Sequence, residues 1–392
     1  MKRVLCAALV IAAGCKSNAP STSAPGAAPH DNAPAASAGD TILVGEVGSM
    51  TGAEATFGTS SDNGIRLAVK ELNAAGGIKG KKLAVKVLDD EGKPEEAATA
   101  VTKLITSDHV AAILGEVAST RSLFMADVAQ RLQVPMVSPS STNPKVTEKG
   151  DFIFRTCFID PFQGEVIAKF AKTNLKVDKV AILRDVRNDY SVGLANFFTD
   201  TFKKEGGTIV GDESYSAGDV DFRAQLTKLK GLSPQALIIP GYYTDVALIA
   251  RQARELGINV PMLGGDGWDS PKLTEMGGVA IEGSYFVNHY SVEDPSPRVQ
   301  GFIAKYKAAA GGQVPDSLAA QAYDTMLVLA DAMKRAKDLS GPAVRDALAA
   351  TKDFPGVTGD ITIDDKRNAR KAAVVLKIAP GGKYEFVQKI LP

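Results

Sequence analysis

Val134-Pro135-Met136-Val137-Ser138-Pro139-Ser140-Ser141-Thr142-Asn143-Pro144 passes from an apolar run directly into a cluster of hydroxyls. The run reads as a short buried strand, and Ser138 to Pro144 as the loop at its carboxyl end. In an open α/β sheet that edge is where ligands sit. Just upstream, Ala111-Ala112-Ile113-Leu114 runs into Gly115-Glu116-Val117-Ala118-Ser119-Thr120 and repeats the arrangement. Two adjacent strand ends thus offer Ser, Thr and backbone amides with no strong base or thiol among them. That set suits holding an anion better than attacking a substrate.

Outward from this point, apolar strands alternate with amphipathic helices. Thr41 to Val47 and Lys82 to Leu88 read as strands, Gly64 to Ala75 and Pro94 to Ser107 as helices, and a further helix spans about Ser122 to Arg131. The rhythm restarts with strands at Phe152 to Thr156, Val180 to Arg184, Thr208 to Val210, Ala236 to Pro240 and Pro261 to Gly264. Helices at Gln163 to Thr173, Ser191 to Glu205, Phe222 to Lys230 and Val246 to Leu256 separate them. Two sets of such repeats predict two Rossmann-like lobes, each with a parallel sheet. The tail differs: Arg298 to Ala310, Leu318 to Lys337 and Pro342 to Ala350 read as helices, Asp360 to Ile363 and Ala372 to Ile390 as β, turning at Pro380-Gly381-Gly382-Lys383. A tail that completes both lobes makes the chain cross between them more than once, as a hinge does. The expected division is 40–160 with 290–364 for lobe 1, and 161–289 with 365–392 for lobe 2.

The chain has 392 residues, above the size at which one core stops growing. Its 45 basic residues balance its 45 acidic ones, with no long basic block, so nucleic acid has no electrostatic footprint. Met1-Lys2-Arg3, the apolar run Val4 to Ala13 and Gly14-Cys15 have the layout of a cleaved export signal. That run is shorter than the ~20 residues a membrane span needs. Ile11-Ala12-Ala13-Gly14-Cys15 resembles a bacterial lipoprotein signal, which makes Cys15 a candidate lipidation site. Residues 16–39, rich in Ala, Pro, Ser and Asn, read as a flexible tether. With Cys6 in the signal and Cys15 acylated, Cys157 is alone in the folded part, so no intramolecular disulfide is expected and buried packing is its simplest role.

Enzyme signatures are missing. The sequence has no Gly-x-Ser-x-Gly, no Gly-x-x-x-x-Gly-Lys-Ser/Thr and no Cys-x-x-Cys, and with His30 in the tether only His109 and His289 remain. Gly45, Gly48 and Gly52 lack dinucleotide-loop spacing and read as a tight turn. No cofactor and no metal are therefore expected. Ser119 and Thr120 open a helix, where an anion is favoured, although a plain N-cap explains them too. Asp266, after Pro261-Met262-Leu263-Gly264-Gly265, could balance an ammonium group or cap the next turn. Tyr190 and Tyr242 stand at further strand ends, as cleft aromatics or as packing.

The ordered set Gly115…Ser119-Thr120, Ser138 to Pro144, Arg155-Thr156…Asp160…Gln163-Gly164, Asp189-Tyr190, Gly241-Tyr242-Tyr243 and Gly264-Gly265-Asp266-Gly267 resembles the branched-chain amino-acid-binding proteins. These are type I periplasmic substrate-binding proteins of ABC transporters. Asn73 to Gly80 with Asp89-Asp90 looks like their early helix-turn-strand element, and the resemblance covers about Thr41 to the end. It implies that Ser119 and Ser140 hold a ligand carboxylate, Ser140 through its backbone. Thr142 would be shared with the ammonium, Asp266 would neutralise it where the family has Glu, and Phe57, Tyr190 and Tyr242 would line the cleft. Gly92 and Ala118 stand where the best-known members form a disulfide, and Trp268, close to Asp266, could narrow the pocket or stack on a larger side chain. The resemblance implies a monomeric, extracytoplasmic receptor, periplasmic or at the cell surface. It would be held to a membrane through Cys15, would capture a small amino acid or related amide and deliver it to an inner-membrane ABC permease, and would not be an enzyme. A ligand-sensing regulator of the same fold and an exported hydrolase are the rivals.

Overall fold

The structure, a computed structural model, describes residues 41–392. The leader ending at Cys15 and the segment 16–39 lie outside the described residues. The chain opens with β1 (Thr41–Gly48), α1 (Ala55–Ala74), β2 (Lys82–Asp89), α2 (Pro94–Thr106), β3 (Ile113–Leu114), α3 (Ser119–Arg131), β4 (Met136–Ser138), α4 (Lys145–Glu148) and β5 (Ile153–Arg155). There follow α5 (Asp160–Thr173), β6 (Lys179–Asp185), α6 (Asp189–Lys204), β7 (Thr208–Tyr215), α7 (Arg223–Gly231), β8 (Ala236–Ile238), α8 (Tyr243–Glu255), β9 (Met262–Gly264), α9 (Pro271–Gly277) and β10 (Tyr285–Asn288). The last stretch holds α10 (Pro297–Ala309), α11 (Ser317–Arg335), α12 (Gly341–Ala349), β11 (Phe354–Gly356), β12 (Gly359–Ile363), β13 (Ala369–Arg370), β14 (Ala373–Ile378) and β15 (Tyr384–Ile390).

One sheet has the order β2-β1-β3-β4-β5 and is parallel throughout. The second has the order β15-β14-β10-β9-β8-β6-β7, parallel from β7 to β10, with β14 and β15 added antiparallel at one edge. A small antiparallel sheet, β11-β12-β13, follows the late helices. Strands β3, β4, β8 and β9 are fully buried, as parallel strands covered on both faces must be. The chain leaves the first sheet after β5 and returns after β10, when α10 to α12 pack onto the core shared by β1 and α1. It crosses again after β13 to add the edge hairpin. Helices α1 and α11 approach so closely that a Cβ on Gly64 would lie 2.1 Å from the Ala319 carbonyl oxygen, so only glycine fits there.

The helix starts that lie earlier than expected share one cause. α1 begins at Ala55 rather than Gly64, α5 at Asp160 rather than Gln163, α6 at Asp189 rather than Ser191 and α8 at Tyr243 rather than Val246, while α3 opens at Ser119, where its hydroxyls placed a helix start and its apolar period did not. Apolar periodicity marks the face that packs on a sheet, and these first turns extend past the sheet edge. β10 is absent from the sequence reading because no amphipathic helix follows it at once.

Candidate functional site

In a doubly wound sheet of order 2-1-3-4-5 the ligand crevice opens where neighbouring connections leave in opposite directions, beside the first strand. The first sheet has that point between β1 and β3, and the second has its equivalent between β6 and β8. Both open onto one cavity, lined from the first sheet by Phe57, Val117, Ser119, Ser140 and Thr142, and from the second by Tyr190, Tyr242, Asp266 and Gly267, with Leu318 from α11. Every residue singled out for ligand contact in the sequence thus borders a single space of about 10 Å3, room for little more than a water.

The hydroxyl-rich loop divides its side chains between two tasks. Ser138 Oγ donates to the Glu116 carbonyl oxygen (2.7 Å) and accepts from the Ser141 amide (2.9 Å). Ser141 Oγ lies 2.9 Å from the carbonyl oxygens of both Glu116 and Val117. These two serines knit β3 to β4. Arg155, fully buried at the end of β5, donates to the carbonyl oxygens of Ser141 (2.5 Å) and Asn143 (2.8 Å) and to Thr147 Oγ1 (3.2 Å). With the backbone so held, Ser140 and Thr142 border the cavity. Ser140 Oγ accepts from Gln321 Nε2 (2.9 Å), and Ser119 Oγ accepts from the Asn143 amide (3.2 Å). Each hydroxyl therefore keeps its own hydrogen to give, beside the N-terminus of α3, and this side of the cavity is built to receive an anion.

The opposite side is acidic. Asp266 opens a short turn of helix through Trp268, with its amide donating to Gln163 Oε1 (2.7 Å). Its Oδ2 pairs with His289 Nε2 at 3.0 Å, while Oδ1 is buried with no partner. Burial holds the His289 imidazole below its ordinary pKa against the pull of Asp266, and its ring stacks on Phe158 at 3.8 Å between centroids. A neutral His289 donating from Nε2 fixes the Asp266 carboxylate and leaves one oxygen for a cation. Aromatic rings close the remaining wall. Tyr190 and Tyr242 stack at 5.4 Å, Phe57 meets Tyr242 edge-on at 5.2 Å, and the Tyr190 hydroxyl accepts from the Gly267 amide (3.2 Å).

Asp160, the first residue of α5, is also buried here, and its Oδ2 has no partner. Burial, then the charge of Asp266, pushes its carboxyl up to about 8. A carboxyl whose folded pKa is raised destabilises the fold once the pH climbs above its unfolded value near 4, and the cost is complete above the folded value. Asp160→Asn should therefore be more stable than the parent by more than about 1 kcal/mol in urea titrations near pH 8.5, with the gap closing toward about pH 4.5. A gap that does not change with pH would contradict this.

Hydrogen bonds join the two sheets' loops around the cavity. Tyr243 Oη and Thr244 Oγ1 both donate to the Ala53 carbonyl oxygen at 2.8 Å, and Thr56 Oγ1 lies 3.0 Å from Ser270 Oγ. On the other flank the Asp189 amide donates to Thr120 Oγ1 (2.9 Å), and Asn143 Nδ2 to the Asp189 carbonyl oxygen (2.8 Å). The cavity is shut. Near Gly92 and Ala118, Arg121 pairs with Glu116 and Glu54 at 3.1 Å each and donates to the Gly92 carbonyl oxygen (3.3 Å). A buried ion cluster thus links the two segments that carry Gly92 and Ala118.

One expectation is corrected. Trp268 neither narrows the cavity nor faces it: its indole is fully buried against Gly264, donates from Nε1 to the Ile239 carbonyl oxygen (2.9 Å) and packs near Phe286. One residue along a tight turn reverses the side chain's direction, so Gly267 borders the cavity and Trp268 enters the core. His289, Gln321 and Leu318 reach the site from residues distant in sequence, and no local motif marks them. Cys157 is buried, and burial raises its thiol to about 12, which leaves it inert. Among the described residues no cluster of His, Cys, Asp and Glu could hold a metal ion, and no helix is long and apolar enough to cross a membrane.

Residues 41–383 match the family model described as periplasmic binding protein. The Leu/Ile/Val-binding protein homolog 3 of Brucella melitensis is 32% identical over 327 residues, 83% of this chain and 87% of that protein. The crystal structure of a leucine-binding protein, LivK, from Thermotoga maritima superposes with a TM-score of 0.86 at 39% identity, covering 90% of this chain and 99% of the other. That of the branched-chain amino acid transporter substrate-binding protein LivJ from Streptococcus pneumoniae, in complex with isoleucine, gives 0.85 at 36%, covering 90% and 100%.

Proposed function

We propose that this chain, which belongs to the periplasmic binding protein family, captures an α-amino acid with an apolar side chain between two lobes and delivers it to an ABC permease. The single observation that carries the reading is the polarity of the cavity. Donor hydroxyls of Ser119 and Ser140 beside a helix N-terminus stand on one side, and an unpartnered carboxylate oxygen of Asp266 on the other. That is the complement of a zwitterion. Phe57, Tyr190, Tyr242, Val117 and Leu318 line the same cavity and would surround the side chain, and Thr142, also in its wall, would be shared between the two charged ends.

The lobes of this reading comprise 40–160 with 290–364, and 161–289 with 365–392. Ligand would enter when the contacts at Ala53, Thr56, Thr120 and Asn143 open, and closure would remove water from the charges and strengthen each interaction. Binding and release need no bond chemistry, so catalysis forms no part of the function. The receptor would act as a monomer outside the cytoplasm, tethered by residues 16–39 to a lipid on Cys15. The sensing and hydrolase alternatives gain no support from the site.

A thermal-shift series over the amino acids tests the reading. Leucine, isoleucine or valine at ~100 times its dissociation constant should add about 2.7 kcal/mol of stability. If no amino acid raises the melting temperature, the reading is wrong.

A further inference from the structure

A second cavity, of about 670 Å3, opens beside the first, between the early turns of α1, the start of α11, the end of β10 and the edge hairpin. It has two carboxylates, Asp269 and Asp316, with no Lys, Arg or His in contact with either. Asp269 Oδ2 accepts from Asn288 Nδ2 (3.0 Å) and from the Ser317 amide (2.7 Å). Asp316 caps α11 through the Ala319 amide (2.9 Å) and accepts from Ser60 Oγ (2.5 Å). The basic side chain on the rim, Lys383, is already paired with Glu293 at 2.7 Å. Burial and the neighbouring charge of Asp269 push the Asp316 carboxyl upward. The two acids thus have the amides of the first turn of α11 and no basic side chain as partners.

Around them stand Tyr290, Tyr306 and Tyr384. The first and last are fixed by hydrogen bonds from their hydroxyls to the carbonyl oxygens of Pro315 (2.6 Å) and Ser270 (2.8 Å). Ser317, fully buried at the same wall, carries a hydroxyl with no partner at all. Paired carboxylates flanked by aromatic faces, with a spare hydroxyl, are the chemistry that holds an ammonium group. A hard metal ion would want more oxygen ligands, and the described residues contain no group of three metal-binding side chains.

We propose that this cavity is a second binding site, distinct from the amino-acid cleft, for a small organic ammonium ion. It stands whether or not the first cavity takes an amino acid. Calorimetric titration of the purified chain with putrescine and with choline tests it. At least one amine should give saturable heat, and Asp316→Asn, which keeps the helix cap, should weaken that amine by about tenfold or more. Tyr306→Leu, away from the cap, should also weaken it. No saturable heat from either amine, or unchanged affinity in D316N and Y306L, overturns the proposal. So does an affinity that falls in Asp266→Ala instead, since the amine would then occupy the first cavity.

Discussion

Asp266→Ala should weaken binding of the cognate amino acid by at least tenfold, and by more if closure excludes water fully. A charge-assisted hydrogen bond is worth ~1.5–3 kcal/mol, and a buried ammonium left without its partner costs more than the lost bond alone. The fold should survive, because the structural tasks at this turn fall to the Asp266 amide, held by Gln163, and to the Trp268 indole, held by Ile239. Asp266→Asn separates charge from shape: it keeps a group that can meet His289 but removes the negative charge, and should lose most of the same affinity. Ser119→Ala should cost less than either, since the amides of the first turn of α3 remain as donors. Calorimetry with leucine reads all three, and an Asp266→Ala affinity equal to the parent's would remove Asp266 from the site.

The second large effect is on the loop itself. Arg155→Leu should destabilise the protein by about 3 kcal/mol or more, read as a lower urea midpoint. Replacing a buried ion pair by apolar groups can be neutral when both partners go. Here no carboxylate pairs with Arg155, and its loss strips the charged donor from the buried Ser141 and Asn143 carbonyls, which keep only the Cys157 thiol and the Val146 amide, and from Thr147 Oγ1. Burial lowers the pKa of the guanidinium, and with no ion pair present the cost of its removal lies in the lost hydrogen bonds to the loop. Since the same carbonyls set the direction of Ser140 and Thr142, ligand affinity should fall as well, which a packing defect elsewhere would not cause. An unchanged midpoint would mean that the loop holds without its guanidinium.

Much of the architecture could be read from hydrophobic period alone. β1, β2, β6, α2 and α7 begin and end within two residues of their expected bounds, because each is flanked by turn residues and packs one clear face or two. The helix starts at Asp160, Asp189 and Tyr243 could not be read that way, since their first turns answer to the cleft and not to the core. The serines of the opening stretch illustrate the same limit. Ser138, Ser140 and Ser141 are equivalent in composition, yet Ser138 and Ser141 secure β3 to β4 while Ser140 faces the cavity.

From sequence alone, therefore, came the strand-helix alternation, the strand ends that border the cavity and the scarcity of His and Cys. These depend on local period and residue type, which a linear chain records directly. Tertiary structure alone decided that His289 braces Asp266, that Gln321 directs the Ser140 hydroxyl, and that Trp268 turns into the core. Each of these depends on which distant segments the crossings between the sheets bring together, and on the few degrees of turn geometry that decide which side of a loop meets solvent, cavity or core.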